Sequence, residues 1–334
     1  MKAMLIDADK QFVWSDVEEP VLTDEGVIVE IYAAALNRAD LLQRQGTYPS
    51  PAGWPQWPGL ELAGRIVAMG KTAERESGYH VGDSVCALVG GGAYAERIAL
   101  PYQLLLPVPK GMSMEEASTL PEAYTTSYLN LFVEGHLTAG QVLYVAAGAS
   151  GLASAAIPMG KLNGAYVVTS VQTRAAAEKI KKLGADEIII QEEESIPDAF
   201  ARLEREGHPV NVCMDCLAGK DLGDAMPFMA AGGYWVVIST LAGITTEIKL
   251  RPLLTRGLHL VGSMLRRRSN EEKHELLTAL CNNMWHWFED GTLKPSVYRV
   301  LDISEVDEAH GILERYENTG KVVLRVKSSS GEAL

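Results

Sequence analysis

No apolar run in this 334-residue chain approaches the length needed to cross a bilayer, so no membrane segment is expected. Positive charge is also short. The 30 Lys and Arg against 43 Asp and Glu leave a formal charge of −13, which disfavours a phosphate backbone as partner, and no nucleic-acid binding is expected. Cysteine is sparse: Cys86, Cys213, Cys216 and Cys281 suit a reducing compartment better than a disulfide scaffold. Cys213 and Cys216 form a C-x-x-C, but in the apolar run VNVCMDCLAG residues three apart on a strand face opposite sides and cannot share a metal or a disulfide. None of the seven histidines falls in a motif that needs an acid, a base or a ligand, so no catalytic histidine is expected. MKAMLIDADK carries no apolar h-region, cleavage site or Arg-rich presequence, and a cytoplasmic location follows as the expectation. Internal repeats are absent, and only SSSGEAL at the end reads as frayed.

What is present is a length suited to two domains and a hydrophobic fraction of 47% with which to fill their cores. The first 115 residues alternate short strand patterns with Gly and Pro turns, as in VIVEIYAAAL and GLELAGRIVAMG, and predict a β-rich domain. Met112, Ser113 and Glu116 stand where a capped helix begins. From Val142 to about Gly262 the strands VLYVA, YVVTS, EIIIQ, VNVCMDC, YWVVIS and LHLVGS recur with helices between them, which predicts a doubly wound parallel sheet. The tail adds a helix in EEKHELLTALCNNMWHWF, a strand in YRVLDI, a further helix and a closing strand in GKVVLRV.

The first strand of that sheet runs into AGASGLA. Gly148, Ser150, Gly151 and Ala153 are small enough for backbone N–H groups to approach a pyrophosphate and for a helix to pack close behind, which is a dinucleotide clamp. An NAD enzyme usually places a carboxylate at the end of the second strand to hold the ribose 2′-hydroxyl. Here the strand ends TSVQTR. Thr173 and Arg174 offer a hydroxyl and a guanidinium to a 2′-phosphate, so NADPH is the expected cofactor; the alternative is that Thr173 caps the next helix and Arg174 is solvated. Pro158 lies inside the helix after the clamp, where it should cost about 3 kcal/mol and kink the helix. Arg266, Arg267 and Arg268 form the only basic cluster and read as a solvated helix start, or else as a flank for an anionic cofactor.

ALNRADLLQRQGTYP, PGLELAGRIVAMG, PEAYTTSY, AGASG, MDCLAG and NTGKVVL occur in one order over nearly the whole chain. In these motifs the sequence resembles the zinc-independent quinone oxidoreductases of the medium-chain dehydrogenase/reductase superfamily, the zeta-crystallin-like group, and most of all its stress-inducible NADPH quinone oxidoreductase branch. The resemblance implies an α/β protein. A GroES-like catalytic domain would comprise residues 1–118 and 263–334, a Rossmann domain residues 119–262, with the active-site cleft at their junction. Zinc alcohol dehydrogenases of this superfamily carry a cysteine where Asn37 stands and a histidine where Leu60 stands, so no metal site is expected.

The implied reaction is hydride transfer from NADPH to a quinone or similarly activated carbonyl. Tyr48 matches the family's cleft tyrosine, to stack on a planar acceptor or hydrogen-bond its oxygen, unless it is a turn residue packed beside Pro49. Asn37 would hold the nicotinamide ribose or a substrate carbonyl, or else bond its own backbone. Ser150 would donate to the substrate or cofactor, or simply be small. By the same resemblance Thr126, Cys216, Ser239, Thr240, Leu241, Ser263, Met264 and Leu265 contact the cofactor, while Gln191 replaces a tyrosine that relatives often show near the 2′-phosphate. A homodimer or homotetramer is implied. Two other readings stand beside this one: a zinc-free enoyl or alkenal reductase, and a low-turnover, crystallin-like NADPH-binding stress protein.

Overall fold

The computed structural model describes residues 1–327; the SSSGEAL tail lies outside the described residues. Two compact units form, one from Met1–Thr125 together with the chain from Arg266 onward, the other from Thr126–Leu265.

The central unit is built on six parallel strands, Val142–Val145, Tyr166–Val171, Glu187–Ile190, Val212–Asp215, Tyr234–Val237 and His259–Gly262. Numbered in chain order they lie 3-2-1-4-5-6, the doubly wound arrangement expected, whose ligand crevice sits at the carboxyl ends where the order reverses. The apolar runs form these strands because helices cover both faces, leaving no solvated side to read as alternation. Two strands lie at the edges. Glu187–Ile190 pairs among the described residues only with Tyr166–Val171, and LHLVGS at the other edge pairs only with Tyr234–Val237, with Leu260 44% exposed there. Asp215 closes the fourth strand: its carboxylate accepts the Trp235 indole N–H at 2.8 Å and the N–H groups of Leu217 and Ala218. Cys213 is buried on that strand and Cys216 lies beyond its end, neither in a disulfide. Pro158 sits inside helix Ala153–Leu162, which continues past it to Leu162.

In the other unit a seven-stranded sheet is centred on Gly26–Ala35, whose Val27, Val29, Ile31, Ala33 and Ala35 are buried. Glu61–Met69 pairs antiparallel along one side of it. Along the other side comes Lys321–Arg325, from the far end of the chain, with Val297–Asp302 parallel beyond it. Ser113 caps helix Met114–Ala117 with Glu116 returning the bond, as the spacing predicts. Helix Asn270–Glu289 opens on the same device, from Ser269 and Glu272. Helix Pro121–Tyr128 runs directly into a wider π turn, Leu129–Val133.

Candidate functional site

The predicted cofactor residues of the central unit, Thr126 apart, follow the carboxyl ends of strands one, two, four, five and six, so a parallel sheet gathers them along one side. Ala147 adopts a left-handed φ of 54°, turning the chain sharply after the first strand. Gly148 then donates to Ser170 O at 2.7 Å, and a Cβ on it would lie 2.5 Å from Thr169 Oγ1, so only glycine lets this turn press on the second strand. Ser150 Oγ accepts the Ala153 N–H at 3.1 Å, which leaves its proton to donate elsewhere. At the end of the sixth strand Ser263 Oγ is buried with no hydrogen-bond partner among the described residues, a hydroxyl made for something that docks there. These features fit a dinucleotide.

At the second strand's end, Thr173 caps helix Arg174–Ile180 by accepting the Ala176 N–H at 3.2 Å, the plainer of its two expected roles. Arg174 is largely exposed and already ion-paired. Its guanidinium pairs with Glu193 at 2.6 Å and its backbone N–H donates to Glu192 at 2.9 Å. TSVQTR itself lacks a carboxylate, but two arrive from the end of the neighbouring third strand, because adjacent parallel strands bring their carboxyl ends together. Gln191 accepts from Gln172 at 2.8 Å, tying the same two strand ends.

In the other unit Asn37 precedes helix Arg38–Arg44 and faces a buried ion pair. Lys321 Nζ lies 2.7 Å from Glu61 Oε1, with side-chain exposures of 6% and 0%, and donates to Leu36 O at 2.6 Å and Asn37 Oδ1 at 2.7 Å. Asn37 Nδ2 donates to Glu61 Oε1 at 3.0 Å and points at Ala35 O at 3.4 Å. An ammonium only donates and a carboxylate only accepts, so the amide has one possible orientation and both its protons are committed. Asn37 can therefore still accept a hydrogen bond but cannot donate one to a substrate carbonyl. Glu61 Oε2 also accepts the Glu122 N–H at 2.8 Å. Burial, and next the charge of Glu61, raise the Glu122 carboxyl to about 7. Burial likewise lifts Asp40 to about 6, against the N–H groups of Asn37 and Gly59 that bond it.

Tyr48 is half-buried, and its phenol is pushed above its ordinary pKa by burial, against the positive charge of Arg266. Arg266 corrects the sequence reading. It is not part of a solvated helix start but 8% exposed, its guanidinium 4.5 Å from the centre of the Tyr48 ring. The acceptors that bury it come from residues 43, 48, 50 and 90, which no local pattern could announce. Gly90 is obligatory here, since a Cβ on it would lie 2.5 Å from the Trp54 ring.

Two family profiles match the chain, one described as alcohol dehydrogenase GroES-like domain over residues 23–110, the other as zinc-binding dehydrogenase over residues 183–324. The quinone oxidoreductase of Homo sapiens is 25% identical over 93% of this chain and 92% of its own length. Quinone oxidoreductase-like protein 2 homolog of Nematostella vectensis is 28% identical over 90% of this chain and 82% of its own. The quinone oxidoreductase of Thermus thermophilus, solved also in complex with NADPH, superposes with a TM-score of 0.81 at 26% identity, over 97% of this chain and all of that one. The chain belongs to the medium-chain dehydrogenase/reductase superfamily. This medium-chain reductase is an oxidoreductase with a pyridine-nucleotide-binding fold. The JamJ enoyl reductase, at 22% identity and a TM-score of 0.84, shares the fold.

The zinc of the second profile's description does not fit the residues present. Asn37 and Leu60 are not zinc ligands, and the Lys321 ammonium occupies the carboxylate that stands beside them. Among the described residues no group of three or more His, Cys, Asp or Glu side chains could hold a metal ion.

Proposed function

We propose that this medium-chain reductase reduces quinones, of the ortho-quinone type, with NADPH by direct hydride transfer and without a metal. The observation that carries this reading is the Lys321–Glu61 pair locked to Asn37, which puts a fixed cation where zinc relatives need soft donors. Bound NADPH supplies the hydride, held by Thr126, Gly148, Ser150, Gly151, Thr173, Arg174, Cys216, Ser239, Thr240, Leu241, Ser263, Met264 and Leu265. The Tyr48 phenol, protonated at neutral pH like any tyrosine and pushed higher by burial, donates its O–H to the quinone oxygen as negative charge develops there. Asn37, with only acceptor capacity left, takes a hydrogen bond from a ribose hydroxyl. The Ser150 hydroxyl donates to the cofactor.

Oxidation of NADPH by the purified protein should be followed with phenanthrenequinone, naphthoquinone and an α,β-unsaturated aldehyde in parallel. The expected result is quinone turnover, lowered about 100-fold in kcat by Tyr48→Phe. Preference for the aldehyde would replace this reading with an enoyl reductase, for which Tyr48 would be the proton donor. Silence with every acceptor despite NADPH binding would leave the low-turnover binder.

The Arg174–Glu193 pair makes NADPH selectivity a competition, since a 2′-phosphate must displace one carboxylate and approach another. Glu193→Gln is expected to tighten NADPH about 3- to 5-fold, the worth of an exposed ion pair, with NADH unmoved. Equal responses of the two cofactors in a fluorescence titration would overturn it. We also assign the enzyme to the cytoplasm, where its four cysteines, none in a disulfide, stay reduced, and pair it with a second copy across the sheet edge at His259–Gly262. A sedimentation mass of a single 36.2 kDa chain would refute the pairing.

A further inference from the structure

One side chain holds Tyr48 in two ways at once. Arg266 donates from Nη1 to the Tyr48 carbonyl at 3.2 Å and lays its guanidinium 4.5 Å from the centre of the Tyr48 ring. The remaining donors reach the ground on which the Tyr48 loop rests. Nε and Nη2 bond Gly90 O at 2.9 and 2.7 Å, and Nη2 also reaches Gln43 Oε1 at 3.2 Å and Ser50 Oγ at 3.5 Å. The Arg266 backbone is fixed in turn, its carbonyl accepting from Lys273 Nζ at 3.1 Å.

A guanidinium is flat and its five donors leave in fixed directions, so these bonds hold the carbonyls of residues 48 and 90 and the ring of Tyr48 in one rigid relation. Other bonds tie the loop on either side of Tyr48, where the Thr47 N–H and hydroxyl both donate to Leu42 O and the buried Ser50 accepts from Gln43, but among the described residues only Arg266 reaches the Tyr48 carbonyl and ring. Thr47 and Pro49 on either side of Tyr48 are exposed, and neither contributes to the buried core. The cation against the ring face also draws electron density from the phenol and makes its O–H the better donor.

We propose that Arg266 is the positioning residue for Tyr48, setting where its phenol points and how strongly it donates during hydride transfer. Nothing in the stacking needs Arg266 to touch substrate. It acts through the tyrosine, and therefore on the rate of the chemical step more than on the binding of either substrate. The inference rests on Tyr48 serving the reaction as proposed above.

The test is a double-variant cycle on the full chain with NADPH and phenanthrenequinone. Arg266→Met is expected to lower kcat about as far as Tyr48→Phe, roughly 100-fold, the loss that follows when a reacting group is displaced by about an ångström. The double variant should stand within about 3-fold of either single, because two residues acting as one unit are not additive. Arg266→Lys keeps the charge but not the flat fork, and should recover part of the rate. NADPH affinity, read by nucleotide fluorescence, should stay within about twofold throughout.

If Tyr48→Phe lowers kcat and Arg266→Met lowers it by an independent, multiplying factor, Arg266 is only structural and the proposal falls alone. If Tyr48→Phe leaves kcat unchanged, the role of Tyr48 falls and takes this inference with it. Should Arg266→Met not fold, Gln43→Met removes a single acceptor of the same guanidinium and enters the same cycle; there too, multiplying factors overturn the proposal and coupled ones support it.

Discussion

Lys321→Met is expected to destabilise the enzyme by about 3–5 kcal/mol, the cost of leaving a buried charge without its partner. Glu61 is 0% exposed, and the ammonium it would lose is the only full positive charge within hydrogen-bond distance of it among the described residues. The Glu122 N–H and one proton of Asn37 would remain, and neither neutralises a carboxylate. Lys321 also satisfies the Leu36 carbonyl and fixes the Asn37 amide, so the variant frees three acceptors where methionine offers no donor. In a thermal melt the transition of this unit should fall by roughly 10 °C. Adding Glu61→Gln should restore part of the loss by removing the stranded charge. A fall of less than about 2 °C in Lys321→Met would refute the claim that the variant strands an uncompensated buried charge on Glu61.

The second large effect concerns acid. His310 is fully buried between the rings of Phe12 and Tyr94, with neither ring nitrogen bonded among the described residues, and burial together with the positive charge of Arg44 lowers its pKa from 6.5 to about 3. An unfolded chain takes up this proton as pH falls through about 6.5, and the folded chain refuses it until about 3, so the stability is complete above 6.5 and drains away below it. At pH 5 the loss should be about 2 kcal/mol, at 1.4 kcal/mol per pH unit. Asp40 and Glu122 act in the opposite direction. Their folded pKa values of about 6 and about 7 exceed their ordinary ones, so the folded state gains protons first as pH falls, and it is stabilised. The difference between the wild type and His310→Phe isolates the histidine. In urea titrations that difference should grow in favour of the variant from neutral pH to pH 5, and a difference independent of pH would refute the assignment.

The Rossmann strands were legible because covered parallel strands read as unbroken apolar runs. The same property hid which runs were outermost: YWVVIS and LHLVGS look alike, yet Trp235 is buried and Leu260 is on an edge strand. Composition records that a strand is apolar, not how many neighbours it has. Ser113 and Glu116 could be read as a cap because both partners lie within one helical turn. Arg266 could not, since its acceptors lie as far as 223 positions away and a run of three arginines is normally solvated. Lys321 and Glu61 did leave a trace. Lys321 opens KVVLR and Glu61 opens ELAGRIVAM, charges of opposite sign at the first positions of two mostly apolar strands, each with one further charge, Arg325 and Arg65. Glu192 and Glu193 were visible too, in QEEES, but their reach to Arg174 depends on the second and third strands being neighbours.

The position of Lys321 also bears on the order in which the molecule can be made. Its partner Asn37 precedes it by 284 residues, and the strand it opens pairs with Gly26–Ala35. A chain emerging from the ribosome exposes Glu61 and the open side of that strand while residues 126–265, contiguous in sequence, can already close their own sheet. The half of the enzyme synthesised first is thus the half completed last, and it waits for a single lysine to arrive.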